Sequence, residues 1–178
     1  TDCILLKLVG IHPVIVHGGG KAIDEMLTKL GKDIKFVHGQ RVTDDETMEI
    51  VEMVLAGKVN KEIVSLINQL GGKGIGICGK DAGLITARPK VLPEAASEGV
   101  DLGHVGEVER VNPEIIETVI NEGYIPVIAP IGVGKDGRSY NINADYVAGA
   151  VAAALKANKL VLLTDVEGIF ADREDPSS

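Results

Sequence analysis

The apolar run Pro13-Val14-Ile15-Val16 passes through His17-Gly18-Gly19-Gly20 straight into an amphipathic segment that begins at Lys21. That order predicts a strand, a glycine turn and a helix start, the unit from which a parallel sheet with covering helices is built. Successive glycines let backbone N–H groups converge without side-chain obstruction. The first turn of a helix adds unpaired donors and the positive end of the helix dipole. The turn therefore reads as an anion cradle. The same residues would also serve a tight strand-to-helix crossover with no ligand, since glycine is an ordinary choice for turn geometry.

Behind the turn, Ile23, Met26, Leu27 and Leu30 form a helical stripe that Gly31 ends. Residues 34–37 and Arg41-Val42 flank His38-Gly39-Gln40 and predict a β-hairpin. Thr43 and Glu46 have capping-box spacing, and Met48, Val51, Leu55, Val59, Ile63, Leu66 and Leu70 predict one long helix. Strands are expected at 75–78, 84–87, 125–128 and 160–163, with helices over 2–9, 113–121 and 144–156. Asn112-Pro113 is a helix start and Gly123 a stop. The class is α/β, with a largely parallel sheet covered on both faces and binding sites at the C-terminal ends of strands, where the glycine turn sits.

With 178 residues, 45% of them hydrophobic, the chain can bury the core of one ordinary domain. A net charge of −8 without a clustered Lys/Arg block argues against nucleic-acid or anionic-membrane partners, and no run of 18 apolar residues offers a membrane span. Aromatic content of 3%, with no Trp, leaves few stacking platforms for bases. Cys3 and Cys78 lie far apart and near no His cluster, which reads as reduced thiols in a cytosolic setting rather than metal ligands. Gly74-Ile75-Gly76-Ile77-Cys78-Gly79 fits the pattern G-x-G-x-x-G, and residues 74–81 approximate a P-loop. Both lack the strand-turn-helix setting, so a glycine-rich strand and turn is the better account. The chain begins at Thr1, inside an expected helix, and ends at Ser178 just past a strand, which reads as an internal piece of a longer protein. Any targeting peptide would lie outside it.

Arg41 stands at the hairpin edge, and Asn141, Asn143 and Asp145 cluster at a strand-to-helix junction. Taken alone, Asn143 reads as a helix N-cap and Arg41 as a solvated charge. In chain order, however, the glycine turn is followed by Gly39-Gln40-Arg41-Val42-Thr43, Gly103-His104-Val105-Gly106, Tyr124-Ile125-Pro126-Val127-Ile128, Asn141-Ile142-Asn143-Ala144-Asp145 and Leu163-Thr164-Asp165-Val166-Glu167-Gly168-Ile169. This series closely resembles the acetylglutamate kinases of the amino-acid kinase superfamily. The Arg-Val-Thr and Asn-x-Asn-Ala-Asp elements carry the likeness, because carbamate, uridylate and aspartate kinases share the glycine turn in variant form.

The resemblance spans nearly the whole chain and implies a three-layer αβα sandwich around a mainly parallel sheet. Residues 1–157 would be the N-terminal part that binds the acyl amino acid and dimerises, without its first strand, and 158–178 the start of a truncated nucleotide-binding part. The implied reaction is ATP-dependent phosphorylation of the side-chain carboxylate of N-acetyl-L-glutamate to N-acetyl-L-glutamyl 5-phosphate, in cytoplasmic arginine biosynthesis. Mg2+ would be held by the nucleotide, with no protein ligand assigned. A homo-oligomer, dimer or hexamer, is implied, and some relatives bind a PII-type signalling protein.

By the resemblance, Gly19 and Gly20, assisted by Gly18, offer N–H groups to the γ-phosphoryl and the attacking carboxylate. Arg41 holds the α-carboxylate as a bidentate fork, and Asn141 completes the clamp. A carboxylate with a pKa of about 4 is already ionised at neutral pH, so the transfer needs charge neutralisation and alignment, not a general base. Asp145 thus has no proton to take; the matching aspartate of the family orients two catalytic lysines, and that is its implied catalytic role. Those lysines would precede Thr1 and follow Ser178, so these 178 residues alone are expected to show no turnover, and Lys21 reads as a solvated helix-start lysine. Thr164, Asp165, Gly168, Ile169 and Phe170 match the first nucleotide-contacting segment. Relatives more often carry Gly where this chain has Ala82, at the end of a turn. Two alternatives share the fold: an aspartate kinase or glutamate 5-kinase, and a non-catalytic acyl-amino-acid sensor, against which Asp145 speaks.

Overall fold

A computed structural model describes residues 2–91 and 101–163. Its centre is a three-stranded parallel sheet in the order β1 (Ile15–Val16), β7 (Ile125–Ala129), β4 (Gly74–Cys78), with Val127 in register with both Ile15 and Gly76. Every residue of β7 is buried, as expected of a strand covered on both faces. Ile125 and Val127 meet Ile63, Val64 and Ile67 of α4 (Asn60–Gln69) together with Ile4 of α1 (Asp2–Leu8). Ile128 joins a core with Ile116 of α5 (Glu114–Asn121) and with Val147 and Val151 of α6 (Ala144–Ala154). Helices thus cover both faces of the sheet, as the α/β reading requires.

A second sheet goes beyond that reading. β5 (Ile85–Pro89), β6 (Val105–Val111), β9 (Ser139–Ile142) and β8 (Ile131–Gly134) close on one another into a small barrel of alternating parallel and antiparallel pairs. Of these, β6 and β8 lie where no strand is expected from sequence, while β9 supplies the strand side of the junction expected at Asn141–Asp145. Charged or glycine positions such as Glu107, Glu109 and Gly134 break up the apolar run that marks a buried strand.

The third core cluster lies under α2 (Gly20–Lys29) and α3 (Asp45–Glu52), where Ile23 and Leu27 pack on Met48, Val51 and Leu55. The long helix expected from Met48 onward is interrupted here. Met53–Val59 forms a π-helical turn between α3 and α4. Its stripe advances in consecutive four-residue steps (Val51, Leu55, Val59, Ile63), each of which drifts by about 40° in a 3.6-residue helix; a wider turn cancels that drift. The insertion moves the buried register by one residue, so Ile67 is buried while Leu66 and Leu70 are exposed.

Two further expectations are corrected. Thr43 does not cap α3: it is fully buried, and its hydroxyl donates to the Arg41 carbonyl oxygen over 2.8 Å. Asp44 is the N-cap, its Oδ1 accepting from the Thr47 N–H at 2.8 Å, while the Thr43 hydroxyl is engaged elsewhere. Residues 160–163 form no strand; Leu163 is 95% exposed, and none of the four joins a ladder. An apolar run with no neighbouring strand among the described residues has no partners for its peptide groups. The hairpin is as expected: β2 (Phe36–Val37) and β3 (Gln40–Arg41) are joined through His38 and Gly39, both at positive φ as a two-residue turn requires.

Two left-handed positions give opposite predictions. Gly103 lies at φ +63°, and a Cβ there would stand 2.2 Å from the Thr43 carbonyl oxygen. Ala82 lies at φ 50° with its side chain in place. Gly103→Ala should lower unfolding free energy by about 2 kcal/mol or more, and Ala82→Gly should raise it by roughly 0.5–1 kcal/mol, both read from urea denaturation midpoints.

Candidate functional site

At the C-terminal end of β1 the chain encloses a cavity of about 240 Å³. Gly18, Gly19 and Gly20 form one wall, and Arg41 and Phe36 of the hairpin a second. Asn141 and Asn143 stand opposite, with Leu55 and Val105 supplying apolar surface. Three stretches that the sequence reading singled out, near residues 18, 41 and 141, therefore meet in one place.

The glycine turn is shaped by its neighbours. A Cβ on Gly19 would come within 2.6 Å of a Leu55 methyl from the π-helical turn, so the close approach of that turn to the backbone favours glycine. Gly19 is the N-cap of α2 and has no side chain to cap it. Among the described residues no hydrogen bond takes the N–H of Gly18 or Gly19. Free donors at a helix N-terminus, next to a cavity, suit an anion.

Arg41 is not the solvated charge that its sequence position alone suggests. Its side chain is 6% exposed, it forms an ion pair with Asp24, and it donates to the Gly20 carbonyl oxygen at 3.3 Å. The guanidinium stands 4.7 Å over the Phe36 ring, its cross-strand partner in the hairpin. A strap holds the far side of the hairpin. Thr43 N–H donates to the Leu102 carbonyl (3.0 Å) and His104 N–H to the Thr43 carbonyl (2.7 Å). His104 itself spans from the Ser139 carbonyl, 2.9 Å from Nδ1, to Asp45 Oδ1, 2.6 Å from Nε2, and so ties β9 to α3.

Asn141 is fixed through its backbone, whose N–H donates to the His104 carbonyl at 2.8 Å. Its side-chain amide makes no hydrogen bond among the described residues, which leaves a donor and an acceptor for a ligand. Asn143 is the N-cap of α6, accepting from the N–H groups of Asp145 (2.9 Å) and Tyr146 (3.2 Å). Asp145 is exposed on the first turn of α6, one residue past the cavity-lining Ala144, and has no ion pair among the described residues. Thr164, Asp165, Gly168, Ile169 and Phe170 lie outside the described residues.

Sequence reasoning missed Asp24, Phe36, Leu55 and Val105. Phe36 was within reach, since a two-residue hairpin turn places it opposite Arg41. Asp24 stands four residues after Gly20 on the face of α2 nearest the turn, a weaker signal. His17, noted only as part of the glycine motif, is buried, with Nδ1 2.8 Å from the Gly18 carbonyl oxygen. Burial pushes its pKa below 6.5, against a smaller upward effect of that carbonyl. Among the described residues no group of three His, Cys, Asp or Glu could hold a metal ion.

The model of the amino acid kinase family matches residues 2–178. The acetylglutamate kinase of Pelotomaculum thermopropionicum is 64% identical over 182 residues, covering 100% of this chain and 62% of that protein. The acetylglutamate kinase of Moorella thermoacetica is 66% identical over 180 residues, covering 99% of this chain and 61% of that protein. The chain thus spans about three fifths of the length of the curated relatives it matches. Among solved structures, smu.665 from Streptococcus mutans superimposes with a TM-score of 0.84 at 33% identity, covering 95% of this chain and 66% of that one. N-acetylglutamate synthase from Neisseria gonorrhoeae, complexed with coenzyme A and N-acetyl-glutamate, superimposes with a TM-score of 0.78 at 25% identity, covering 94% and 37%.

The environment of His17 sets a pH dependence. A histidine held neutral by burial has a native pKa below its unfolded value of 6.5, so its contribution to stability is complete above that pH and is lost as pH falls toward the depressed native value. Between pH 7 and pH 5 the urea midpoint should fall, and in His17→Gln it should fall less.

Proposed function

Because the chain belongs to the amino acid kinase family, we propose that it provides the acyl-amino-acid half of an acetylglutamate kinase. The reaction is transfer of the γ-phosphoryl of ATP to the side-chain carboxylate of N-acetyl-L-glutamate in arginine biosynthesis, in the cytoplasm. One observation carries the reading beyond likeness to relatives: a buried guanidinium and free glycine N–H groups face one cavity that also has an apolar wall. Such a cavity suits a ligand with two anionic ends and a small apolar group.

In this reading Arg41 takes the α-carboxylate in exchange for Asp24, and the Asn141 amide completes the clamp. The acetyl methyl lies against Phe36, Leu55 or Val105. The reacting carboxylate and the γ-phosphoryl meet over Gly18, Gly19 and Gly20. Opposed anions are drawn together there by backbone donors and the end of α2, and no proton has to be removed. The nucleotide brings its own Mg2+. Asp145 acts by orienting the two catalytic lysines, with contacts to ATP from Thr164, Asp165, Gly168, Ile169 and Phe170. Assembly into a homo-oligomer is supported by Met53, Leu66 and Leu70, which are exposed along the α3–α4 ridge.

Calorimetric titration of N-acetyl-L-glutamate, with L-glutamate and L-aspartate as controls, tests the proposal. Selective binding is expected, and Arg41→Ala should weaken it by about 10–100-fold, the effect of losing charge-assisted hydrogen bonds of about 1.5–3 kcal/mol. No binding, either by these residues or by the full-length protein that carries them, would overturn it.

A further inference from the structure

One buried polar relay lies behind the glycine turn and is not used in the reaction as described. Asn60, the first residue of α4, is 1% exposed, and its amide reaches His17, whose ring reaches Gly18. The hydrogen-bond chemistry along this line has one self-consistent solution. Lys61 Nζ, which can only donate, stands 3.1 Å from Asn60 Oδ1. The carbonyl oxygen of Val127, which can only accept, stands 2.9 Å from Asn60 Nδ2. The amide orientation is thus fixed; Nδ2 faces three acceptors, of which the Ile77 carbonyl oxygen is the farthest at 3.5 Å, so its two hydrogens go to Val127 and, across 3.2 Å, to His17 Nε2. A ring nitrogen that accepts carries no proton, so the imidazole is neutral with its hydrogen on Nδ1, donated to the Gly18 carbonyl oxygen at 2.8 Å.

The last step reaches the cavity. In a trans peptide the C=O of one residue and the N–H of the next point in opposite directions, and no peptide bond described is cis. Holding the Gly18 carbonyl against His17 therefore turns the Gly19 N–H the other way. That N–H has no hydrogen-bond partner among the described residues, and Gly19 lines the cavity. We propose that Asn60, acting through His17, is a positioning residue that aims the Gly19 N–H of the anion cradle.

Two features of the chain agree with this. A Cβ on Gly76 would stand 1.8 Å from Asn60 Oδ1, so the glycine that gives β4 its dinucleotide-like spacing is what admits the amide. The π-helical turn ends at Val59, and the shifted register after it carries Asn60 inward toward β4 and β7. The inference rests on the proposed function for its ligand, but the relay itself is read without one.

Long-range proton–nitrogen NMR on the full chain at pH 7.5 identifies which ring nitrogen of His17 carries hydrogen, and titration of N-acetyl-L-glutamate reads the cradle. The unsubstituted chain should show His17 with hydrogen on Nδ1 only. Asn60→Asp, which sets an acceptor against Nε2, should bring hydrogen onto Nε2 and weaken binding at least tenfold. Asn60→Ala, which removes the donor to Nε2, should mix the two His17 tautomers and weaken binding severalfold, while Lys61→Met, in which Val127 still orients the amide, should keep hydrogen on Nδ1. Hydrogen on Nε2 in the unsubstituted chain would overturn the relay, as would unchanged His17 signals and affinity in a folded Asn60→Ala or Asn60→Asp. Failure of the proposed function reads differently: the unsubstituted chain would ignore N-acetyl-L-glutamate with the Nδ1 signature in place and the Asn60→Asp tautomer shift still present.

Discussion

Taking the Arg41 guanidinium out of water is the demand around which the site is organised. A buried cation is tolerated only with compensating charge and filled donors. Asp24 provides the charge, the Gly20 carbonyl takes a second donor, and the Phe36 ring supports the plane. Two of these partners lie on α2 and the third on the hairpin, so the junction between them has to be held. The hairpin keeps Phe36 opposite Arg41. Thr43 fixes the Arg41 carbonyl from behind, and the strap through Gly103 and His104 locks Thr43 to β9 and α3. The left-handed Gly103, pressed against the Thr43 carbonyl, follows from the same demand.

The same logic operates behind the glycine turn, with neutral groups in place of charge. Asn60, His17 and the Gly18 carbonyl satisfy one another in the interior. A buried amide with both ends engaged is an orientation fixed by desolvation, since any rotation would leave a polar atom unpaired. The strand glycine that admits the amide and the π-helical turn that presents it belong to scaffold elements, yet their shape is dictated from the cavity side.

How much of this the sequence could reveal depends on the range of the interaction. The glycine turn, the hairpin and the N-cap at Asn143 are written in adjacent residues and are legible there. The parallel strand at 125–129 was visible because both faces are buried and the apolar run is nearly unbroken, and that at 74–78, half-buried over Gly74–Gly76, through Ile75, Ile77 and Cys78. The barrel was not, because its strands are interrupted by charge and glycine. The π-helical turn was half legible: its four-residue steps are in the sequence, but a stripe of apolar residues alone reads as an ordinary helix. Capping failed at Thr43 because a spacing rule cannot tell that this hydroxyl is fully buried and bound to the Arg41 carbonyl. Family resemblance pointed to Arg41 and Asn141, whereas Asp24 and Phe36 required the structure.

Asp24 gives the site a property that neither a bare arginine nor a fully buried pair would have. Its side chain is 39% exposed while that of Arg41 is 6% exposed. If a substrate carboxylate enters, Asp24 can turn back to water at little desolvation cost, while the guanidinium has nowhere else to go. One carboxylate replaces another, and the charge around Arg41 is nearly unchanged. In the proposed site this exchange limits how tightly a carboxylate alone can bind, because Asp24 is displaced. Selectivity then falls to groups that Asp24 does not imitate: the Asn141 amide, the apolar wall and the glycine N–H donors. A ligand that engages only the arginine competes with an internal carboxylate on nearly equal terms. One that spans the cavity to the glycine turn gains contacts for which the protein holds no substitute.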